Sequence, residues 1–543
     1  MHPETNTASE PASFCTITTN ETAAEFVGFL LSLSVHHADA RVYVLCDAPS
    51  KRAFDTMTPV PRLRVSWRVA LDEYSGMTRA VMEARGTWSK FQMFKADAIE
   101  FALESSPDVL FMDCDTLLLA KVDRIDKTKQ LGVSDQYLRE AHSSRYGKYN
   151  GGFLWTSNAD VPRDWREFTA TSRYYDQASI EDLVCKYPHF VAPEAYNIQH
   201  WRFVLGERST EEHERAVTVR DGAVLYDGAE VAFVHTHFTT RTAFNDFFIR
   251  KLTEARRYRE LAIIFRVMNG KWAIRVPRQP LRGLWFHKDD SYRELLRLVH
   301  ETEPDVGVSY DAAVRHCTLD PGIVLYDRPT LEWYTAECSA APLLLLGNGS
   351  MEIEGTRLGE MGCNVRPWIF WPRRPRVLEA YMTSHRTRPY DERPTRVVFI
   401  GNHENGVQRE FRQTGSGWEG VVDQWHLSEG PVHPFTQEEY LAHLAGALYG
   451  LCLRGYGSKC HREVELMALG CVPLITPEVS LSYSDPLIEG VHYHRVASLD
   501  DIAQLSQTSI EWQRMSDACR AWYMRNVHST ATMASTLASV LYG

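Results

Sequence analysis

Two aspartates separated by one residue, Asp113 and Asp115, directly follow the apolar run Val109–Met112. Such a run is typical of a strand buried in a parallel sheet, and ligands of open α/β sheets collect beyond the carboxyl ends of these strands. In an extended chain this spacing places both carboxylates on one side, within reach of a single hard divalent cation. Aspartate is also common in solvated turns, so the pair taken alone leaves a turn and a metal site open. The chemistry it suggests is a cation that holds a diphosphate.

Two histidines, His235 and His237, stand at alternate positions at the end of the apolar run Val231–Val234. Alternate residues of a strand share one face, so either imidazole could join the two carboxylates on a metal ion. A single histidine is more often structural, and the sequence leaves that alternative open.

Further polar residues stand at the ends of other expected elements. A loop with Thr16, Thr18 and Thr19 follows the first strand, where hydroxyls and backbone N–H groups could hold a base and ribose. Lys95 lies on the helix before the acidic pair and could face a phosphate.

Two short segments complete this set. The turn Asn150-Gly151-Gly152 would let the backbone approach a sugar closely, because glycine has no Cβ. Asp176 and Gln177 follow later in the chain as a further polar pair.

Strands and helices alternate along this part of the chain and would bring these residues together. Strands are expected at Phe14–Thr18, Arg41–Cys46, Leu63–Trp67, Val109–Met112, Leu131–Ser134, Gly152–Trp155 and Val231–Val234, and helices at Thr22–His36 and Lys90–Leu103. A βαβ series of this kind predicts an α/β fold with a mostly parallel sheet and right-handed crossovers. The segment from Arg241 to about Thr302 has helical spacing and is expected to be a connector.

The order of these motifs, with Lys95, Asp113-Cys114-Asp115, Asn150-Gly151-Gly152, Asp176-Gln177 and His237-Phe238, resembles the GT-A nucleotide-sugar transferases. The resemblance is to the retaining enzymes of glycosyltransferase family 8 in particular, and it spans about residues 13–245. It implies a Rossmann-like GT-A domain that acts on a nucleotide-sugar donor, a UDP- or GDP-sugar. It also implies a glycan or glycoprotein acceptor.

The same resemblance implies roles for individual residues. Asp113, Asp115 and His237 would bind Mn²⁺ or Mg²⁺, which would bridge the two phosphates of the donor and act as a Lewis acid. Asn150 and Asp176 would hold sugar hydroxyls, and Gln177 would lie near the anomeric carbon. The family usually continues after its histidine with Gly and then Lys-Pro-Trp, whereas this chain reads Phe238-Thr-Thr-Arg241. Arg241 is therefore expected to replace the phosphate-binding lysine.

A second α/β region begins near Gly307. Strands are expected at Ile323–Tyr326, Leu343–Leu346, Arg396–Ile400, Gly450–Leu453 and Cys471–Ile475. The segment Gly450–Thr476 predicts a strand, a glycine-rich loop, a helix and a strand. Ser458 could cap that helix, whose N–H groups would face an anion; Lys459 and Arg462 would add positive charge, and Glu463 or Glu465 could hold ribose hydroxyls.

This segment resembles the C-terminal lobe of GT-B glycosyltransferases, in particular the exostosin-like group. The resemblance is confined to about residues 390–500 and implies a GT-B-like double Rossmann domain. The domains expected from the whole sequence are a flexible leader (1–12), a GT-A domain (13–245), a helical connector (246–302), an N-lobe (303–390) and a nucleotide-sugar-binding C-lobe (391–543).

The composition excludes several classes of protein. The 543 residues carry a formal net charge of −11, which argues against nucleic acid or an anionic membrane as the main partner. The N-terminal residues lack the basic and apolar regions of a secretory signal, and the apolar stretch Phe26–Val35 is too short to span a bilayer. Eleven cysteines without a C-x-x-C pair are typical of reduced thiols. We therefore expect a cytoplasmic protein with no membrane span.

Three functions remain open from the sequence. The first is a metal-dependent glycosyltransferase with a second transferase in its C-terminal half. The second is a single-activity transferase whose C-terminal half only binds the acceptor. The third, a sugar nucleotidyltransferase, usually has a basic, glycine-rich loop after the first strand, whereas this loop reads Thr-Thr-Asn-Glu-Thr-Ala.

Overall fold

The computed structural model describes most of both halves of the chain. The described residues are 9–55, 63–270, 372, 374–403, 406–412, 415–429, 433–455, 461–481, 483 and 485–528, with short strands between 272 and 367. Ser458, Lys459, residues 1–8 of the expected leader and most of the expected N-lobe lie outside them. The chain divides into two compact units, Met1–Trp272 and Ala273–Leu541.

The first unit alternates strands and helices. Its strands are β1 (Phe14–Thr18), β2 (Arg41–Cys46), β3 (Arg64–Val69), β4 (Val109–Met112), β5 (Thr116–Leu118), β6 (Leu131–Asp135), β7 (Tyr149–Thr156), β8 (His189–Val191), β9 (Asn197–Gln199), β10 (Val217–Arg220), β11 (Ala223–Tyr226), β12 (Ala229–Glu230) and β13 (Phe233–His235). Its helices are α1 (Ala23–His36), α2 (Ala48–Asp55), α3 (Arg79–Ala84), α4 (Trp88–Gln92), α5 (Phe94–Leu103), α6 (Glu140–Tyr146), α7 (Asp160–Thr169), α8 (Tyr175–Ala178), α9 (Ile180–Lys186), α10 (His200–Leu205), α11 (Thr210–Ala216), α12 (Ala243–Glu254) and α13 (Tyr258–Asn269).

The main sheet of this unit has the strand order β3-β2-β1-β4-β7-β6-β8. The first four strands are parallel, whereas β7 runs antiparallel to both β4 and β6. All residues of β1, β4 and β7 are buried, as expected for strands covered on both faces. The α/β expectation with parallel strands is therefore confirmed.

A small second sheet continues the chain beyond the acidic pair. Strand β5 pairs antiparallel with β13, and β13 pairs parallel with β9. The register places His235 opposite Thr116 on one side and opposite Gln199 on the other. The end of β13 is thereby brought next to the segment that follows β4.

The last helix of the first unit packs on its first helix, and α12 packs on that last helix. Helix α13 lies against α1, and Gly28 of α1 has Val267 of α13 at the position a Cβ would occupy. Residues Leu261, Ile263 and Ile264 of α13 are fully buried. The expected connector therefore begins, up to Asn269, as part of the first unit; the domain boundaries at 245, 302 and 390 stay predictions.

The described residues of the second unit form two sheets. Its elements are β14 (Trp272–Pro277), β15 (Val306–Asp311), β16 (Cys317–Leu319), β17 (Ile323–Tyr326), β18 (Leu344–Gly347), β19 (Asn364–Pro367), α14 (Pro375–Ser384), β20 (Thr395–Asn402), α15 (Gly406–Arg412), β21 (Gln424–Ser428), α16 (Gln437–Ala445), β22 (Ala447–Cys452), α17 (His461–Ala468), β23 (Val472–Ile475), β24 (His494–Arg495), α18 (Leu499–Ala503) and α19 (Ser509–Asn526). One sheet is mixed, with the order β15-β14-β16-β17-β18-β19. The other is parallel throughout, with the order β21-β20-β22-β23-β24.

Most expected strands lie within two or three residues of the observed bounds, and β1, β2, β4 and β17 agree at both ends. The expected helix Lys90–Leu103 is divided at Met93 into α4 and α5. In the described part of the chain, no helix has the length and apolar character needed to cross a membrane.

Candidate functional site

The acidic pair lies in the short turn between β4 and β5. The backbone N–H of Asp113 donates to the carbonyl of Gly152 at 3.2 Å, and the Thr116 hydroxyl donates to the Asp113 carbonyl at 2.9 Å. These bonds fix the turn to the neighbouring strand β7. The side chains of Asp113 and Asp115 keep 25% and 14% of their surface exposed, so a small ligand can reach both.

His235 completes a three-residue group around these carboxylates. Its Nε2 lies 3.1 Å from Oδ1 of Asp115 and 3.8 Å from Oδ2 of Asp113. The three potential ligand atoms all lie within 4.8 Å of one another, which is the spacing one cation requires. Nδ1 of His235 is buried and has no hydrogen-bond partner among the described residues.

Lys95 joins the first aspartate to Asp176. Its Nζ lies 3.2 Å from Oδ1 of Asp113 and 3.0 Å from Oδ2 of Asp176, and it donates to the Gly151 carbonyl at 3.1 Å. Asp176 is the second residue of α8 and follows Tyr175 in the chain. The φ of Tyr175, 44°, is unusual for a residue with a side chain. The Trp165 indole N–H donates to the Asp176 carbonyl at 2.8 Å and holds this turn in place.

The two glycines of β7 leave the space that this charged group occupies. A Cβ on Gly151 would lie 2.5 Å from Oδ2 of Asp176, and one on Gly152 would lie 2.5 Å from Oδ2 of Asp113 and from Cε1 of His235. Real Cβ atoms do not approach other atoms this closely. The sequence predicted that this turn allows close approach of a sugar; the structure shows that it allows close approach of the site's own side chains.

The neighbouring charges displace the pKa values of the cluster in opposite directions. Burial and repulsion from Asp115 raise the pKa of Asp113, although Lys95 opposes the rise. Burial would also raise the pKa of Asp115, but the His235 imidazolium outweighs it and holds that pKa well below its usual value. In turn, the pKa of His235 is raised, because the attraction of Asp115 outweighs the effect of burial. The opposed shifts of Asp115 and His235 are those of a carboxylate and an imidazole that stabilise each other's charged forms.

His237, the histidine expected to bind metal, lies beside this group, and its nearest carboxylate is that of Glu25. Its Nδ1 is 3.0 Å from Oε1 of Glu25 and 3.5 Å from Oδ2 of Asp115. The hydrogen bond to Glu25 raises the pKa of His237 to about 9, against the effect of burial. The compact three-residue group thus contains His235, and the ligand role of His237 stays a prediction.

Asn150 and Gln177, expected to contact the sugar, have protein partners. The Asn150 amide donates to Oε1 of Gln199 at 3.0 Å and accepts from Gly152 N–H at 3.0 Å and from Asn197 Nδ2 at 3.2 Å. Gln177 Nε2 donates to the Tyr146 carbonyl at 2.9 Å. Their roles toward a sugar stay predictions.

The threonines expected to bind the nucleotide are buried. Thr18 Oγ1 lies 3.1 Å from Oγ1 of Thr22, and the backbone N–H of Thr19 donates to that Thr22 hydroxyl at 3.3 Å. Within the described part of the chain, the Thr16 hydroxyl is buried and has no partner. Arg241 is at the surface, where its side chain is 80% exposed and lies 3.4 Å from Asp246. The structure does not bring Arg241 to the acidic group by any described contact.

In the second unit, the residues expected to bind a donor also have partners. Arg462 Nε and Nη2 donate to the Ile400 carbonyl at 3.0 and 2.6 Å, and its guanidinium stacks on Phe399. Glu465 is buried and accepts a hydrogen bond from the Tyr440 hydroxyl at 2.7 Å.

Several residues of the first site carried no sequence signal of their own. Glu25 lies in the first turn of α1, and Asn197 and Gln199 lie on the three-residue strand β9. Asn197 and Gln199 alternate, which places both on one face of β9, but nothing in the sequence marks that face as part of the site.

No protein-family model matches the chain, and no curated protein matches its sequence. Solved structures match it at low identity. The galactosyltransferase LgtC, in complex with donor and acceptor sugar analogs, is 16% identical, with 45% of this chain and 94% of that chain covered and a TM-score of 0.32. The apo-form glycosyltransferase GlyE of Streptococcus pneumoniae TIGR4 is 10% identical, with 66% and 91% covered and a TM-score of 0.31.

A third structure, mouse xyloside xylosyltransferase 1 in its apo form, is 10% identical, with 42% of this chain and 99% of that chain covered and a TM-score of 0.28. At these TM-scores the likeness is no evidence of function. A proposal about function therefore depends on the geometry of the site.

Proposed function

We propose that the first unit is a metal-dependent GT-A glycosyltransferase that moves a sugar from a nucleoside-diphosphate sugar to a glycan acceptor. The observation that carries this proposal is the group Asp113, Asp115 and His235 at the carboxyl end of β4, with potential ligand atoms within 4.8 Å of one another. Carboxylate oxygens and an imidazole nitrogen suit Mn²⁺ or Mg²⁺. The end of a sheet strand is also where α/β folds bind nucleotides.

When bound, the cation would neutralise the charge that develops on the departing nucleoside diphosphate. Asp113 and Asp115 would hold it, with His235 or His237 as the nitrogen ligand. Lys95 keeps Asp113 and Asp176 at a fixed separation, because its Nζ bonds both carboxylates. Asn150 and Asp176 would hold hydroxyls of the donor sugar, and Gln177 would lie near its anomeric carbon.

The sequence also predicts a second transferase in the C-terminal unit, and that prediction stays open to test. The described bonds of Arg462 to Ile400 and of Glu465 to Tyr440 favour the alternative of a single-activity enzyme, because these groups already have partners inside the unit. In that alternative the parallel sheet of the second unit presents the acceptor.

The test is release of nucleoside diphosphate from a panel of UDP- and GDP-sugars, with Mn²⁺ or with EDTA. For one donor we expect release that requires Mn²⁺ and that falls by about 10³-fold in Asp115→Ala, since a bound cation contributes several kcal/mol of charge stabilisation. Asp182→Ala, at an exposed position of α9, is the matched control and should keep full activity.

Release that is equal with Mn²⁺ and EDTA, or that survives in Asp115→Ala, would contradict the metal-dependent mechanism. A second donor whose turnover survives in Asp115→Ala would instead establish a second active site in the chain. Transfer to the acceptor is then measured with the donor that is cleaved.

A further inference from the structure

Trp201 is an exposed tryptophan that the proposed reaction does not yet use. It is 56% exposed, and among the described residues it is the only phenylalanine, tyrosine or tryptophan that is exposed. Val204, three residues later in α10, is 49% exposed. Residues at this spacing share one face of a helix, so the two side chains form a small apolar patch. An indole left in water forgoes the stabilisation that its burial would give.

Strand pairing brings the start of α10 to the same end of the small sheet as His235. Strand β9 runs parallel to β13, and Gln199 lies opposite His235 in the register. Helix α10 begins at the next residue, His200, without an intervening loop. Trp201 therefore stands two residues beyond the position that pairs with His235, at the strand ends where α/β folds bind their ligands.

Helix α12 connects the start of α10 to the segment that follows β13. The His200 ring lies 5.3 Å from the Trp201 ring and 5.5 Å from the Phe244 ring. The next residue of α12, Asn245, donates from its side-chain amide to the His237 carbonyl at 2.9 Å. The side chain of His237 is itself 64% exposed. An exposed indole and an exposed imidazole thus lie on segments joined through α12, beside the candidate site.

The size of the Trp201 patch decides between its possible occupants. A stable interface between two protein chains buries about 800 Å² on each partner, far more than two side chains provide. The residues that follow α10, Glu207 and Arg208, are charged and exposed, so the apolar surface does not extend in that direction. A sugar ring has a suitable size, and the C–H groups on its face suit the negative face of an aromatic ring.

We propose that Trp201 binds the glycan acceptor, with its indole stacked on a sugar ring beside the bound donor. This inference rests on the glycosyltransferase function proposed above and supplies the acceptor contact that the proposed function lacks. Val204 widens the apolar surface on the same face of α10. Trp201 holds the acceptor in place and takes no part in the cleavage of the donor.

Binding is measured on the full chain labelled with fluorotryptophan, by fluorine NMR. The resonance of residue 201 is identified by its absence in Trp201→Phe. The probes are lactose, maltose and N,N′-diacetylchitobiose, each added with Mn²⁺ and with UDP or GDP. We expect at least one of these disaccharides to shift the Trp201 resonance and to saturate the shift.

Kinetics of transfer to that disaccharide give the second readout. We expect Trp201→Ala to raise the KM for the disaccharide by about 10-fold and to change kcat by less than about twofold, because stacking holds the acceptor before and during the reaction. Trp201→Phe keeps an aromatic ring and should raise the KM by less than about threefold. This variant also keeps the test open if Trp201→Ala fails to fold.

The matched control is Met268→Ala. Met268 is another exposed apolar residue, 38% exposed, and it lies on α13. Its replacement should leave both the KM for the disaccharide and kcat unchanged. Melting temperatures of all three variants separate a loss of acceptor binding from a loss of stability.

Three results would overturn the role of Trp201 while leaving the transferase function intact. These are the absence of a shift with every disaccharide, an equal KM in wild type and Trp201→Ala, and a Trp201 resonance that moves only when the protein is diluted. The last result would show a contact between two copies of the chain. If wild type releases no nucleoside diphosphate from any donor, the proposed function fails, and the role of Trp201 fails with it. That release is measured without a disaccharide, so the two failures are distinguishable.

Discussion

The ends of the parallel strands carry opposite charges in the two units. In the first unit, β4 leads into Asp113 and Asp115, which are bonded by the side chains of Lys95 and His235. In the second unit, β20 and β22 end beside two buried arginines. Arg412 donates to the carbonyls of Asn402, Leu453 and Arg454, and Arg462 donates to the carbonyl of Ile400.

The difference lies in what satisfies each charged group. Among their partners, the arginines have main-chain carbonyls of β20, those of Ile400 and Asn402, which are fixed by the strand. The aspartates are bonded by side chains, which an incoming cation can replace or join. The two groups therefore differ in the described bonds that a ligand would have to join or replace: side-chain bonds at Asp113 and Asp115, and bonds to strand carbonyls at Arg412 and Arg462.

The strongest test of this comparison is Lys95→Met. Without the ammonium, Asp113 and Asp176 are left close together with no cation between them, which we expect to cost about 3–5 kcal/mol of unfolding free energy. Mn²⁺ should restore part of that loss in the first unit, since it supplies positive charge at Asp113. Urea unfolding with and without Mn²⁺ measures both effects. Lys90→Met, at a 66% exposed residue paired with Glu73, should change stability by less than about 1 kcal/mol.

Acid should destabilise the first unit through His37. Burial lowers its pKa to about 4, and its Nε2 accepts the backbone N–H of Val122 at 3.0 Å, which a protonated ring cannot do. In the unfolded chain, His37 therefore binds a proton below about pH 6.5. In the folded unit it binds that proton only below about pH 4. We expect the contribution of His37 to the free energy of unfolding to be present in full above pH 6.5. It should fall by about 3 kcal/mol as the pH is lowered to 4.

The measurement is urea unfolding between pH 7 and pH 4.5, with hydrogen exchange to assign the unit that opens first. His213, whose pKa burial also lowers to about 4, adds to the effect in the same unit. Unchanged stability of the first unit over this range would show that His37 is not held neutral.

Arg462→Leu tests the second unit. Because it leaves the Ile400 carbonyl without its donor, we expect a loss of about 2 kcal/mol in unfolding free energy and no change in Mn²⁺-dependent donor cleavage. Arg514→Leu, at an exposed position of α19, should stay within about 0.5 kcal/mol. A loss of donor binding at unchanged stability would instead support the donor-binding role expected from the sequence.

Gly152→Ala should give the smallest effect. Its Cβ would lie 2.5 Å from Asp113 and from His235, so the two potential ligands must separate slightly. We expect a cost of about 1 kcal/mol in Mn²⁺ affinity, or roughly fivefold, measured by electron paramagnetic resonance of free Mn²⁺. Gly420→Ala, with no atom within 4 Å of the added Cβ, is the control. An unchanged affinity would show that the group tolerates a wider spacing.

Local pattern was sufficient to predict the elements that carry the site. The apolar run of β4, the acidic pair after it and Lys95 on the preceding helix are all visible over a few residues, because side-chain period and burial determine them locally. Their meeting also follows from the parallel order of β1, β2 and β4.

The rest depended on pairings between distant segments. Strand β7 pairs antiparallel with β4, which places Gly152 beside Asp113. The register of β13 with β5 and β9 brings His235 next to Asp115. A one-residue change of that register would exchange the faces of the strand. Likewise, nothing local distinguishes an arginine that binds phosphate from Arg462, whose partner Ile400 lies sixty-two residues away.

The contact between Gly28 and Val267 has a practical consequence for preparing the first unit alone. A shortened chain that ended at residue 245 would lose α13, whose Leu261 and Ile263 are buried, and would expose the face of α1 that α13 covers. Exposed apolar surface of that kind promotes aggregation. A fragment of the first unit should therefore run through Asn269, so that α13 continues to cover α1.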